Sequence, residues 1–273
     1  MTRRLAGIAI GLAVGLAIAY LAILFYIGLN QRGLQYVVAG EITALDTTAL
    51  QRAREVHIPV NGGTETVTGW LSAPEPGRPL IVYYRGNSGS FSAEHERFSA
   101  FEAEGFGFLA IDYRGFPLSP GELNEANVLE DALAAFDFAR EQAGTIVIWG
   151  RSLGSGPASY VASRREAGLL ILETPFLSAV SVAAERYPYL PVGWLMQDQY
   201  HNDRWIPEVD EPVIIAHGTA DDTVGFSNGQ RLWELVRERV DFLIYHDGTH
   251  IDLWDRGLWN DVRPHILAIA APD

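Results

Sequence analysis

Three residue types suited to nucleophilic catalysis occur in the second half of the chain. Ser152, Asp221 and His250 appear in that order, each shortly after an apolar run typical of a buried strand. A serine hydroxyl is a weak nucleophile, so it needs a histidine that takes its proton and a carboxylate that orients the imidazole. The three residues therefore indicate attack of a serine on a carbonyl carbon.

Ser152 lies in the sequence Gly-Arg-Ser-Leu-Gly, between a predicted strand at 145–149 and a predicted helix with Pro157 in its first turn. In this context the motif forms a turn so sharp that side chains at either glycine would clash, and it lifts the serine hydroxyl clear of the sheet. The turn also puts the Leu153 N–H at a helix N-terminus, where it can stabilise an oxyanion. A plain glycine turn is the competing interpretation, and the flanking strand and helix favour the catalytic one.

Two aspartates and two histidines compete for the remaining roles. Asp221 lies five residues beyond the run at 212–216, and we interpret Asp222 as its solvated neighbour. His246 directly continues the preceding strand, whereas His250 lies on a loop behind a glycine and can reach over the edge of the sheet. Asp221 and His250 are therefore the predicted acid and base. The other histidines do not follow that strand and are interpreted as structural or exposed: His57, His95, His201, His217 and His265.

A second oxyanion donor is expected in the loop after the predicted strand at 80–84. This loop reads Arg-Gly-Asn-Ser-Gly-Ser, and its glycines let backbone N–H groups approach a developing negative charge. The Asn87 amide is the candidate donor, with Ser88 behind it. An ordinary glycine turn is the alternative.

The elements that must hold these residues follow a regular alternation. Short β-branched or aromatic runs alternate with longer amphipathic segments from Val56 onwards, which predicts a mostly parallel sheet flanked by helices, an α/β fold. The later strands are expected to be buried on both faces. The predicted strands are 67–73, 80–84, 108–111, 145–149, 169–172, 212–216 and 242–245.

Six motifs in this order resemble the α/β-hydrolase superfamily, specifically its small members without a large cap. They are Arg85-Gly86-Asn87, Asp112-Tyr113-Arg114-Gly115-Phe116, Gly150-Arg151-Ser152-Leu153-Gly154, Leu172-Glu173-Thr174-Pro175-Phe176, His217-Gly218-Thr219-Ala220-Asp221 and Gly248-Thr249-His250. The resemblance covers about 56–265. It implies an α/β-hydrolase fold with Ser152 as nucleophile, Asp221 as acid, His250 as base, and the amides of Asn87 and Leu153 as the oxyanion hole.

The chain departs from the family pattern at two places. Arg85 stands where the family usually has histidine, and Phe116-Pro117 stands where it usually has Tyr-Gly. Arg85 either alters substrate preference or pairs with an acid such as Glu173, and we favour the pairing. Pro117 stiffens a loop near the site without removing a catalytic group.

The stretch from Glu173 to Pro212 is too short for a bulky cap, so we expect an open site. It has room for a helix and connecting loops. Its aromatic side chains are candidates for an acyl pocket, although packing against the sheet is the role we favour for most of them. They are Phe176, Tyr187, Tyr189, Trp194 and Tyr200.

The N-terminal region predicts a membrane anchor. The 25 residues from Leu5 to Leu29 are all apolar, tyrosine or glycine, and as a helix they span about 37 Å, more than the roughly 30 Å hydrocarbon core. Arg3 and Arg4 precede this run and only Arg32 follows closely, so the N-terminus is expected in the cytoplasm and the remainder outside it. A cleaved secretory signal is the alternative, since Ala17-Ile18-Ala19 resembles a cleavage site, but the run continues ten residues further.

These patterns divide the 273 residues into an anchor at 1–30, a linker at 31–55 and one catalytic domain at 56–273. The formal net charge of −14 disfavours a nucleic-acid partner. The chain contains no cysteine, which excludes disulfides, thiolate nucleophiles and cysteine-based metal sites. No metal and no organic cofactor is expected.

The sequence thus predicts a serine hydrolase that cleaves carboxylic esters or thioesters of a small-molecule or lipid-like acyl substrate. A serine peptidase remains possible on the same fold, because only the pocket would differ. A second alternative is a non-catalytic, membrane-tethered binding protein that keeps the fold, and only the departures at Arg85 and Phe116-Pro117 support it.

Overall fold

The apolar runs of the sequence form one eight-stranded sheet in a computed structural model of the protein, which describes residues 2–269. Residues 270–273, the end of the predicted catalytic domain, lie outside the described residues. The strands are β1 (Arg54–Val60), β2 (Glu65–Ser72), β3 (Leu80–Tyr84), β4 (Gly107–Ile111), β5 (Ile146–Arg151), β6 (Leu169–Glu173), β7 (Val213–Gly218) and β8 (Arg239–Tyr245).

The spatial order of the strands is β1-β2-β4-β3-β5-β6-β7-β8. β1 pairs with β2 and β2 pairs with β4 in antiparallel fashion, and the remaining neighbours are parallel. After β3 the chain forms β4 on one side of it and then β5 on its other side, so the order in which strands are added to the sheet reverses at β3. Ligands of open α/β sheets bind outside the carboxyl ends of the strands at such a reversal point, and Ser152 directly follows β5, the strand beside β3.

All seven predicted strands are present, with ends that differ by at most three residues, and the mostly parallel α/β architecture is confirmed. β1 was not predicted. It is an edge strand that alternates buried and exposed residues and contains Pro59, so it lacks the continuous apolar run of its inner neighbours. The prediction of burial on both faces is wrong for β8, the other edge, where no residue is fully buried.

Helices cover both faces of the sheet. They are α1 (Thr2–Gln35), α2 (His95–Ala103), α3 (Glu125–Arg140), α4 (Ser155–Ala162), α5 (Ala179–Arg186), α6 (Val192–Leu195), α7 (Asn202–Trp205), α8 (Phe226–Leu235) and α9 (Leu258–Ala268). Because side chains alternate along a strand, Val82 and Tyr84 of β3 pack in one core and Ile81 and Tyr83 pack in the other. Both cores consist of buried side chains, and the inner strands that carry the site are packed between them.

The helix α1 is long and apolar enough to cross a membrane, with a mean hydropathy of 2.6 in its most apolar stretch. It continues to Gln35, beyond the end expected for the anchor at residue 30. Its last turns contact the rest of the protein: Arg32 forms ion pairs with Asp198 and Glu122. The segment after α1 follows the surface as irregular chain, apart from a short 3₁₀ turn at Leu45–Thr47.

Candidate active site

Ser152 lies at a sharp turn between β5 and α4, with a φ angle of +50° that residues with a side chain rarely adopt. A Cβ atom on Gly150 would lie 2.4 Å from the Ala158 Cβ, and one on Gly154 would lie 2.0 Å from the Tyr84 carbonyl oxygen. As the motif predicts, side chains at both glycines would clash. The turn is therefore possible only because neither residue has a side chain.

The structure brings Ser152, His250 and Asp221 together in one hydrogen-bonded chain. The Nε2 atom of His250 lies 2.9 Å from the Ser152 Oγ, and its Nδ1 atom lies 2.7 Å from the Asp221 Oδ2. A carboxylate can only accept, so Nδ1 carries the proton and Nε2 is free to accept the hydroxyl proton. This arrangement can remove a proton from Ser152 as its oxygen attacks an electrophile.

The carboxylate of Asp221 is fixed by the loop that carries it. Its Oδ1 accepts hydrogen bonds from the backbone N–H groups of Thr223 and Val224, at 3.0 and 2.8 Å. Burial acts to raise the pKa of Asp221, but hydrogen bonds from His217 and His250 outweigh it and hold the pKa well below its ordinary value. Asp221 therefore stays ionised beside His250, whereas Asp222 and His246 are exposed and lie outside the hydrogen-bonded chain.

The side chain of His217 makes a contact that the sequence interpretation did not include. It is completely buried on β7, and its Nε2 atom lies 3.3 Å from the Asp221 Oδ2. The four-residue spacing between His217 and Asp221 was the available signal, but only the turn after β7 shows that the two side chains meet. His217 is thus buried and not exposed, and its contact is with the candidate acid.

The predicted oxyanion residues lie beside Ser152. Asn87 and Leu153 line the same cavity as the serine. The side-chain amide of Asn87 donates to the carbonyl of Gln35, at the end of α1, so the backbone N–H of Asn87 is the group left for an oxyanion. Backbone hydrogen bonds between Val37 and the Asn87–Gly89 loop hold this loop in place.

Arg85 does not pair with Glu173, which corrects that expectation. It is buried, its Nε atom lies 3.6 Å from the Asp112 Oδ1, and its guanidinium stacks over the Phe116 ring at 4.5 Å. Asp112 lies at the end of β4, next to β3, so it is closer to Arg85 than Glu173 on β6 is. Arg85 thus pairs with an acid, as favoured from the sequence, but with a different one.

Glu173 instead binds another arginine. Its two carboxylate oxygens accept from the Arg97 guanidinium at 2.8 and 3.1 Å, and the Trp149 indole N–H donates to it at 3.0 Å. The Arg151 Nε atom lies 3.4 Å away. This buried network joins α2, β5 and β6 directly beneath the turn at Ser152.

Several known proteins are similar to this one in sequence or in fold. No protein-family model matches the chain. It is 32% identical to the protein YfhR of Salmonella typhimurium over 222 residues, which cover 73% of this chain and 75% of the relative. The esterase PF2001 of Pyrococcus furiosus has the same fold, with a TM-score of 0.69 at 17% identity over 86% of this chain and 96% of that one.

The chain belongs to the α/β-hydrolase superfamily. A further relative is the lysophosphatidylserine lipase ABHD12 of Rattus norvegicus, which is 30% identical over 64% of this chain and 50% of its own length. This protein thus combines the hydrolase fold with the hydrogen-bonded residues Ser152, His250 and Asp221.

Above Ser152, this α/β-hydrolase has a partly open cavity of about 480 Å³. Its walls come from the turn at Ser152, from the α5–α6 region and from the last turns of α1. The α1 contribution was not expected, since the helix was interpreted only as an anchor. It consists of Ile27, Gln31, Leu34 and Gln35.

The aromatic residues expected to line or support the pocket separate into three groups. Phe176 and Tyr187 line the cavity. Tyr200 is buried, and its hydroxyl lies 2.8 Å from that of Tyr36. Tyr189 and Trp194 are 88% and 94% exposed, so these two side chains do not pack against the sheet.

Proposed function

We propose that the protein is a membrane-anchored serine hydrolase that cleaves carboxylic ester or thioester bonds. The observation that carries this proposal is the hydrogen-bonded chain from Ser152 through His250 to Asp221, which opens into a largely apolar cavity. A preformed serine–histidine contact is the arrangement that acyl transfer requires.

In the first half of the proposed reaction, the Ser152 Oγ attacks the substrate carbonyl carbon while the His250 Nε2 takes the hydroxyl proton. The carbonyl oxygen becomes an oxyanion that the backbone N–H groups of Asn87 and Leu153 stabilise. The bond to the leaving group then breaks, and that group leaves with the proton from His250. Asp221 stabilises the imidazolium throughout.

In the second half, His250 takes a proton from water, and the resulting hydroxide attacks the acyl-Ser152 carbonyl. The second tetrahedral intermediate collapses, the carboxylic acid leaves, and Ser152 regains its proton from His250. Every group in this cycle belongs to the chain, the substrate or water, so the proposal requires no metal and no organic cofactor.

The proposed substrate is an acyl compound with a lipid-like chain. Most of the cavity-lining side chains are aliphatic, aromatic or methionine, and their apolar surface favours hydrocarbon over water. The name of the ABHD12 relative, a lysophosphatidylserine lipase, supports a lipid class of substrate as well. We therefore favour a long acyl chain in the cavity with the scissile carbonyl at Ser152.

We further propose that α1 is a single membrane span with its N-terminus in the cytoplasm, and that the domain at 56–273 lies outside it. The excess of arginine before the apolar run supports this orientation. A single cysteine at exposed Glu141 provides the test, because the natural chain has none. A membrane-impermeant maleimide should label Glu141→Cys in intact cells; labelling only after lysis would reverse the orientation.

The catalytic proposal is tested with the full-length protein in detergent. Short p-nitrophenyl esters should be hydrolysed, and a fluorophosphonate should label one residue, Ser152. Ser152→Ala should abolish labelling and lower kcat by about a thousandfold or more. Esterase activity that persists undiminished in Ser152→Ala would rule out the proposed nucleophile.

A further inference from the structure

The segment that follows α5 and includes α6 exposes an unusual amount of apolar surface. The ten residues of Tyr187–Met196 contain no charged side chain and no histidine. Tyr189 and Trp194 are 88% and 94% exposed. Apolar surface is more favourable in an apolar environment than in water, so this segment, hereafter the apolar hairpin, favours burial away from water.

A hydrogen bond fixes the position of the apolar hairpin along α1. The Tyr20 hydroxyl donates to the carbonyl of Tyr189 at 2.8 Å. Tyr20 lies nine residues before Leu29, the end of the apolar run, which is about 13 Å along a helix axis. The hairpin therefore extends back alongside the part of α1 that enters the membrane.

The length of the apolar run sets a minimum depth for this contact. At about 37 Å, the run exceeds the hydrocarbon core by about 7 Å. Even if all of this excess lay on the side of the hydrolase domain, Tyr20 would be about 6 Å inside the hydrocarbon edge of an untilted helix. The Tyr189 carbonyl lies one tyrosine side chain away from the Tyr20 backbone. Because helix side chains tilt toward the helix N-terminus, that side chain is directed further from the hydrolase domain and not back toward it.

Charged groups mark the two ends of the hairpin. Arg186 precedes it, and Asp198 follows it and binds Arg32, the first charged residue after the apolar run of α1, at 3.0 Å. The charge-free parts of the hairpin and of α1 thus lie on the same side of this ion pair. Tyrosine and tryptophan are the residues enriched where a protein enters the membrane interface.

We propose that the apolar hairpin is embedded in the leaflet next to α1, and that the cavity opens from this leaflet to Ser152. Ile27 and Leu34 of α1 form one wall of the cavity, and Leu190 and Leu195 of the hairpin form another. Ile27 lies two residues before the end of the apolar run, so the cavity reaches the level at which α1 enters the membrane. A substrate lipid enters sideways from the bilayer, a step that rests on the proposed hydrolase function.

The embedding is tested by fluorescence quenching, which requires no catalysis. Because the chain has no cysteine, Trp194→Cys and the control Glu141→Cys each give one site for an environment-sensitive dye in the full-length protein. Glu141 is exposed on the loop before β5, at the opposite end of the sheet from the cavity. The proteins are reconstituted in phosphatidylcholine vesicles that carry a nitroxide on the acyl chain.

The dye at position 194 should be blue-shifted and quenched at least twofold more strongly by the acyl-chain nitroxide than the dye at position 141. Equal, weak quenching at both positions would overturn the proposal, since the hairpin would then lie in water or against a soluble partner.

The entry route is tested with Trp194→Asp, which adds a charge to the hairpin without touching the cavity lining. Charging the hairpin should lower kcat/KM about tenfold or more for a long-chain ester held in vesicles, and leave p-nitrophenyl acetate hydrolysis unchanged. Val240→Asp is the matched control, because Val240 is exposed near the start of β8, away from the cavity. Equal losses on both substrates would contradict lateral entry.

These outcomes separate the two proposals. Failure of the wild-type protein to label at Ser152 or to hydrolyse either ester would refute the hydrolase function and the entry route with it, while acyl-chain quenching at position 194 would still establish the embedding.

Discussion

The Nε2 atom of His217 lies 3.3 Å from the Oδ2 atom of Asp221, the same oxygen that accepts from the imidazole of His250. Nε2 of His217 also lies 2.9 Å from the Val224 carbonyl oxygen. A carbonyl oxygen only accepts, so this Nε2 carries a proton. The N–H of His217 thus donates to the Val224 carbonyl, and its proximity to Oδ2 stabilises the negative charge of Asp221.

His217→Leu should lower kcat on a p-nitrophenyl ester by about tenfold, because a hydrogen bond to a buried charged group is worth about 1.5–3 kcal/mol. His217→Gln keeps an N–H donor at a similar reach and should restore most of the activity. The exposed His57→Leu is the control and should leave kcat unchanged. Equal loss in the Leu and Gln variants would show that His217 acts only through packing.

Asp221→Asn should reduce the free energy of unfolding by about 2–3 kcal/mol at pH 7, the size expected for a carboxylate with a strongly depressed pKa. The pKa of Asp221 is lower in the folded than in the unfolded chain, so its stabilisation is complete above about pH 4. It is lost as the pH falls through the folded value. Denaturant unfolding at pH 3–7 should show the difference from wild type narrowing below pH 4; a constant difference would contradict the depressed pKa.

Gly154→Ala should destabilise the protein by about 2–3 kcal/mol or more, the cost of forcing atoms into a packed site. The new Cβ would lie 2.0 Å from the Tyr84 backbone oxygen, which cannot move without distorting β3. Gly144→Ala is the control, because no atom of residues 2–269 lies within 4 Å of the position that its Cβ would take. Thermal unfolding and fluorophosphonate labelling should both be impaired in the first variant and normal in the second.

Arg85→Met should cost about 3–5 kcal/mol of stability, because it leaves the buried Asp112 without its cation. Burial already raises the pKa of Asp112, and Arg85 opposes this effect. Adding Asp112→Asn to Arg85→Met removes the unpaired charge and should recover at least half of the loss. Denaturant unfolding measures both variants, and no recovery in the double variant would show that the stacking on Phe116 dominates.

The positions that could be predicted from the sequence are those governed by short-range rules. Gly150 and Gly154 mark the turn at Ser152, because a strand followed at once by a helix leaves no space for side chains beside the serine. The sequence also predicts that Asp221 and His250, which follow successive strands, lie near Ser152, since parallel strands bring their carboxyl ends to one edge of the sheet. The inner strands were predicted from the sequence as well, as each is a continuous apolar run.

The pairing of distant side chains required the tertiary structure. Several acids and arginines compete in this chain, and only the strand order decides that Arg85 meets Asp112 while Glu173 meets Arg97. The edge strand β1 was missed because its pattern is a short alternation, with Val56, Ile58 and Val60 buried, and not the continuous apolar run of the inner strands.

The sequence by itself thus determined the fold class, the turn at Ser152 and the order of the three candidate catalytic residues, because these depend on steric and periodic rules acting over a few residues. Only the tertiary structure decided that His217 supports Asp221, that α1 forms a wall of the cavity, and that Tyr189 lies beside Tyr20. These contacts depend on how whole elements and turns pack in three dimensions, which no local pattern encodes.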